Sequence, residues 1–273
     1  MPNVYATPVE IKAAANIRGV LDDDLILDTA EDVSRQIDQE TGHRFYEETR
    51  SRFYTAESAH CVRVDDLLSV SAIAVDHALT RNYSSTYSAT CIELGPANAL
   101  YESPPHPYWM VETTPQSTGT FPTARRGVKL SGSWGFYAVT EPGGTFSGTS
   151  GVSSTGTTSV TISDPVRVQP GHTLKTSAGE QLYVNAVENG TARVERGVNG
   201  TTPATCAANA TFGVYTYPVV RRACILQTAR ILARHESALG VVGGGDVGQI
   251  RLQAALDPDV KAMLARVTLP VAL

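Results

Sequence analysis

The chain has 273 residues, 42% of them hydrophobic, with 22 basic and 27 acidic side chains and a formal net charge of −5. That size permits one large core or two smaller ones, and the acidic balance argues against a protein that grips nucleic acid through a broadly basic surface. The opening residues lack the basic-then-apolar layout of a secretory leader, and no run approaches the ~18 apolar residues of a membrane span. Cys61, Cys91, Cys206 and Cys224 form no CxxC pair and read as free thiols in a reducing compartment.

Thr7-Pro8-Val9-Glu10 predicts a short helix, with Thr7 as cap, Pro8 at the first helical position and Glu10 completing a capping box. A longer helix is predicted from Asp22 to Glu40, because Ile26, Ala30, Val33 and Ile37 recur at helical spacing and Gly42 ends the run. Asp22, Asp23 and Asp24 crowd its N-terminus, where the helix dipole favours anions. From Arg44 to Tyr137 short strands are expected at 44–54, 61–64, 70–75, 89–94, 109–112 and 128–131.

Thr140–Ser159 reads as a Gly/Ser/Thr linker with almost nothing to build a core. A compact β segment follows to about Tyr217, with strands at 159–162, 181–187, 192–196 and 212–215 and a hairpin turn at Asn189-Gly190. Pro218 opens another helix to about Ser237, Gly240–Gly248 forms a glycine-rich connector, and a last helix starts at Asp257-Pro258. Leu269–Leu273 is an apolar tail.

Signatures of catalysis are missing: there is no GxSxG elbow, no P-loop and no HExxH. The six histidines do not pair at metal-ligand spacing, and the aspartates at 22–24 and 28 lack the calcium-loop pattern. No enzyme, cofactor or metal is therefore expected. Tyr46, Phe53, Tyr54, Trp109, Trp134, Phe136 and Tyr137 suit either a stacking platform or the core of a small sheet. Arg221, Arg222, Arg230 and Arg234 suit a phosphate-facing strip, a solvated helix face or partners for the acidic helix.

The segment Ala30-Glu31-Asp32-Val33-Ser34-Arg35-Gln36-Ile37-Asp38-Gln39-Glu40-Thr41-Gly42-His43-Arg44-Phe45 resembles the helix-end signature of tailed-bacteriophage head–tail connector (adaptor) proteins. Val62–Val70 resembles the strand that follows in that family. Val128–Phe136 resembles its strand ending in Trp-Gly-aromatic, Pro218–Ala223 the helix after it, and Leu256–Val260 the closing helix. The β segment departs from the minimal family pattern. Glu180–Val187 and the Arg-Gly-x-Asn-Gly-Thr turn at 196–201 resemble a small β module of phage structural proteins.

The resemblance implies an α+β protein: a mainly helical connector core with a small antiparallel β region, plus an inserted all-β domain. The core would comprise residues 1–143 and 217–273, the insertion 144–216, and a C-terminal arm 268–273. It implies a structural virion protein at the head–tail junction, made in the bacterial host cytoplasm. Its copies form a ring, generally dodecameric, under the portal, extending the DNA channel and docking a neck or tail-completion protein. Genomic DNA passes without sequence-specific binding, no membrane is involved, and the capsid is a further partner through the insertion. Leu269, Pro270, Val271 and Leu273 are expected to bind the portal. Asp24, Asp28, Asp32 and Arg35 are expected at the channel or the subunit seam. The rival reading is another virion protein, binding a surface or carbohydrate through the β segment.

Overall fold

A computed structural model describes residues 3–15, 22–102, 105–115, 119–136, 139–147, 151–236, 241–242, 250–251 and 256–268. The chain divides into two compact units, Arg44–Ala138 and Met1–His43 with Val139–Leu273. The described residues hold four α-helices and two six-stranded antiparallel sheets. This overturns the expectation of a mainly helical core with a small β region. The physical reason is that each sheet buries an apolar face of its own, so neither is an accessory to the helices.

Helix α1 (Pro8–Ala15) begins with the expected capping box, Thr7 N–H donating to Glu10 Oε2 at 2.9 Å. In α2 (Asp23–Thr41), Asp22 caps the N-terminus by accepting the Asp24 N–H at 3.0 Å. Gly42, at φ 76°, closes α2 by donating its N–H to Asp38 O, a left-handed position that any side chain would disfavour. Ile26, Ala30, Val33 and Ile37 form the buried stripe.

The Arg44–Ala138 unit contains β1 (Glu48–Tyr54), β2 (Cys61–Val75), β3 (Ser85–Tyr87), β4 (Ile92–Gly95), β5 (Tyr108–Thr113) and β6 (Val128–Trp134). Their order is β1-β6-β2-β5-β4, with β3 also on β2. The two short strands expected at 61–64 and 70–75 are one strand of 15 residues. Near Asp66, at φ 34°, its pairing shifts, from β5 before Leu67 to β6 after it. Alternation along β2 and β6 buries Val62, Leu67, Ile73, Val75, Val128, Leu130 and Trp134. Each of these contributes about 1.5–3 kcal/mol relative to exposure. Trp134 donates its indole N–H to Arg50 O at 2.8 Å, and the Arg52 guanidinium lies 4.5 Å from its ring centroid.

Beyond β6, Gly135 adopts φ 149° and a Cβ there would lie 2.5 Å from Tyr46 O. Phe136 N–H donates to Arg44 O at 2.6 Å, and the Phe45 and Phe136 rings stand 5.2 Å apart.

The other unit contains β7 (Val139–Thr145), β8 (Ser159–Thr161), β9 (Thr173–Thr176), β10 (Gln181–Glu188), β11 (Thr191–Glu195) and β12 (Thr211–Thr216). Their order is β7-β12-β9-β10-β11-β8. Asn189 (φ 49°) and Gly190 (φ 77°) join β10 to β11 as the expected two-residue turn. The segment read as a linker instead supplies edge strand β7 and two fully buried residues, Phe146 and Val152. Strand pairing uses backbone groups, so a stretch of Gly, Ser and Thr pairs readily, and an edge position accommodates Pro142. Phe146 stacks on Phe212 at 4.7 Å over Leu174, Leu182, Val184 and Val194.

Helices α3 (Arg221–Glu236) and α4 (Pro258–Leu264) complete this unit, α4 capped by Asp257 as expected. α3 packs on α1 and α2, with Cys224 Sγ 3.7 Å from Ser34 Oγ. The helices of both chain ends therefore share one unit with the β segment at 139–216, although the sequence grouped them with residues 44–143. Buried amides tie them together. Asn3 Nδ2 donates to Asn199 Oδ1 at 2.6 Å, and Asn199 Nδ2 donates to Asn3 Oδ1 at 3.0 Å and Gln181 Oε1 at 2.7 Å.

Candidate interaction surface

Chemistry among the described residues is sparse. No group of three His, Cys, Asp or Glu side chains among them could hold a metal ion. Cys224 is fully buried between Ser34 and Thr228, and burial pushes its thiol pKa up to about 11, so it is a packed residue with no thiolate to offer. The most fully buried ion pair among the described residues is structural. Glu180 holds Arg196 at 2.7 Å through both carboxylate oxygens and accepts the Gly197 and Ala204 N–H groups. Arg196 in turn donates to the carbonyls of Ser154, Thr157 and Ala204. This pair fixes the 196–201 turn, whose Gly197 and Asn199 are both at positive φ.

Two open grooves lie on this second sheet, of about 470 and 570 Å³. The larger is lined by Thr155, Thr158, Asn185, Arg193 and Glu195 without an aromatic ring. The smaller includes Phe212, which is buried in the core. Neither offers the ring face on which a sugar would stack.

The surface that stands out is acidic. Asp24, Asp28 and Asp32 are all exposed and recur every four residues along α2, so they form one stripe. None of the three is in an ion pair among the described residues, whereas Asp23 is paired with Lys12. The sheet carries an acid beside a buried phenol. Tyr183 on β10 is 3% exposed and stands opposite Glu195 on β11. Its phenol pKa is raised chiefly by burial, then by the carboxylates of Glu31, Glu195 and Asp28. Tyr183, Glu31 and Glu195 were not singled out in the sequence. The period-two position of Tyr183 and its cross-strand acid were the available signal.

Arg35 takes a different place from the stripe. It lies 3.3 Å from Asp38, donates to Asn3 O at 3.0 Å and covers the Tyr5 ring at 5.6 Å, fastening the N-terminal segment. The arginines of α3 are partly consumed as partners, Arg221 with Glu10 and Arg230 with Asp257 and Asp259, while Arg222 is exposed. Of the aromatics, Tyr46, Trp134 and Phe136 are core, whereas Phe53 (40%) and Trp109 (43%) are exposed. Leu269, Pro270, Val271 and Leu273 lie outside the described residues, as do Tyr137 and most of the glycine-rich connector.

Comparisons with protein-family profiles, with curated proteins and with solved structures give no match. Among the described residues, no helix is long and apolar enough to cross a membrane.

Proposed function

We propose that this chain is a structural virion protein of a tailed bacteriophage, a head–tail connector without enzymatic activity. Its copies close into a ring, about twelve by the family resemblance, between the portal and a neck or tail-completion protein. What carries the reading is that two motif segments of the resemblance, far apart in sequence, meet in space. The Arg44-Phe45 pair that follows Gly42 hydrogen-bonds and stacks with the Trp134-Gly135-Phe136 motif, at 2.6 Å and 5.2 Å. The glycine is required there by the close approach of Tyr46 O. An identical patch pair repeated head-to-tail is what closes a ring. In such a ring the exposed carboxylates Asp24, Asp28 and Asp32 would repel passing DNA or meet a cationic neighbour at the seam.

Mass photometry of the purified chain, alone and mixed with the portal protein of its phage, tests this. The expected result is a ring-sized species, or a portal that gains about one copy per portal subunit. A monomer indifferent to the portal would refute the connector reading.

A further inference from the structure

In this acidic chain, four unpaired cations converge at one end of the first sheet, where β1 and β2 finish and β6 begins. Arg81 lies in the loop after β2, Arg125 and Arg126 form the turn before β6, and Lys129 on β6 stands opposite Phe53 on β1. The three arginines are exposed, and none of the four makes an ion pair among the described residues. Unlike Arg221 and Arg230 of α3, they have no carboxylate partner among the described residues.

The cluster is built, not a chance run of surface arginines. Arg81 Nη1 donates to the carbonyls of Arg125 at 2.8 Å and Arg126 at 3.3 Å, locking two loops together. The Tyr83 hydroxyl donates to Arg126 O at 2.8 Å, and Arg126 N–H donates to Thr55 Oγ1 at 3.0 Å. The Arg126 guanidinium lies 4.8 Å from the Phe53 ring centroid, and the Phe53 and Tyr83 rings are 5.2 Å apart. Beneath the loop, the buried Asp76 carboxylate accepts the N–H groups of Thr80 and Arg81, so it braces backbone and leaves the side-chain cations unneutralised. Arg81 (φ 66°) and Arg126 (φ 57°) both hold left-handed backbone conformations. Glycine or asparagine fits such positions with least strain, and Leu79 (φ 60°) in the same loop as Arg81 holds one too, so these turns are fixed by the bonds around them.

We infer that this cluster is a contact site for the phosphodiester backbone of nucleic acid, without base readout. Exposed guanidinium groups on loops tied to one another match the phosphates of a nucleic-acid backbone. The Arg126 guanidinium lies over the Phe53 ring, where a base would otherwise stack. The site is local, which is how a chain of net charge −5 can carry it. It does not depend on the connector reading and stands or falls separately from the portal experiment.

Fluorescence anisotropy of the full chain with a labelled duplex of about 30 base pairs, and with the single strand of the same length, tests it across a salt series. Four phosphate contacts give a slope of log K on log salt near ~−3.5, roughly a hundred-fold weaker binding at 200 mM than at 50 mM salt. Arg125→Gln with Arg126→Asn, the latter keeping a residue that accepts positive φ, is expected to lower that slope by about two, and Lys129→Gln by about one. Equal binding of duplex and single strand supports backbone contact. Preference for the single strand overturns it, because it marks contact with bases and not with the backbone alone. Absence of binding at 50 mM salt, or binding unchanged in both variants, overturns the inference. So does a parent chain that ignores DNA but loses self-association on Arg125→Gln/Arg126→Asn, which marks a contact between copies.

Discussion

The two sheets of this chain have the same strand number and use their buried charges differently. The first, within Arg44–Ala138, is centred on Trp134 and aliphatic neighbours, and its buried carboxylate, Glu48, is held at one edge strand by Arg44, Arg50 and Arg52, which are themselves partly exposed. The second has an apolar core on one face, but its Arg196 turn and its junction with the N-terminal segment rest on buried polar groups, Glu180 with Arg196 and Asn3 with Asn199. An apolar core tolerates exchange of shape at modest cost. A buried charge pair tolerates almost nothing, because either partner left alone is an uncompensated ion. The second sheet is therefore the more specific structure.

Four perturbations can break or sharpen that contrast, from largest to smallest. Trp134→Ala should cost about 3–5 kcal/mol in denaturant unfolding, since it empties the first core and frees Arg52. Trp134→Phe should recover most of that, and equal losses for both would argue against packing as the cause. Glu180→Ala should cost a similar ~3–5 kcal/mol by stranding Arg196, whereas replacing both residues with apolar ones of like volume should cost much less. A double variant as unstable as the single would contradict the charge argument.

His172 offers a subtler test. Burial lowers its pKa, the Glu10 carboxylate opposes that, and the Gln169 N–H donates to Nδ1 at 3.1 Å. The folded state then takes up a proton less readily than the unfolded chain, whose imidazole titrates near ~6.5. Stability should be level above that pH and decline as pH falls below it, since there the unfolded state binds the extra proton. His172→Gln should flatten the decline between about pH 7.5 and 5.5. Identical slopes in parent and variant would remove His172 from the account. Smallest of all, Asp24→Asn, Asp28→Asn and Asp32→Asn together should move stability by no more than about 0.5 kcal/mol, as exposed residues without partners. A large loss would place the stripe in the folding core instead of at an interface.

Local signals were legible in the sequence. Thr7, Gly42 and Asp257 cap where expected, and Asn189-Gly190 turns, because each feature is decided within a few residues. The continuity of β2 was hidden by Asp65-Asp66, polar residues that the strand accommodates at its shift of partner. Strand β7 was hidden because pairing asks nothing of side chains, so Pro142-Gly143-Gly144 read as linker. The grouping of helices with the second sheet was not readable at all, since Asn3 and Asn199 are 196 residues apart and no pattern links them. Of the candidate seam residues, the periodicity of α2 found the three exposed acids. It could not foresee that Arg35 turns back onto Asn3 and Tyr5.

The proposed role is tested most directly by quantitative mass spectrometry of purified virions, measuring copies of this chain against copies of the portal. A connector gives a ratio near one, because its ring matches the portal ring subunit for subunit. Absence from virions, or an excess of many copies per portal subunit as for a protein decorating the capsid, would contradict it.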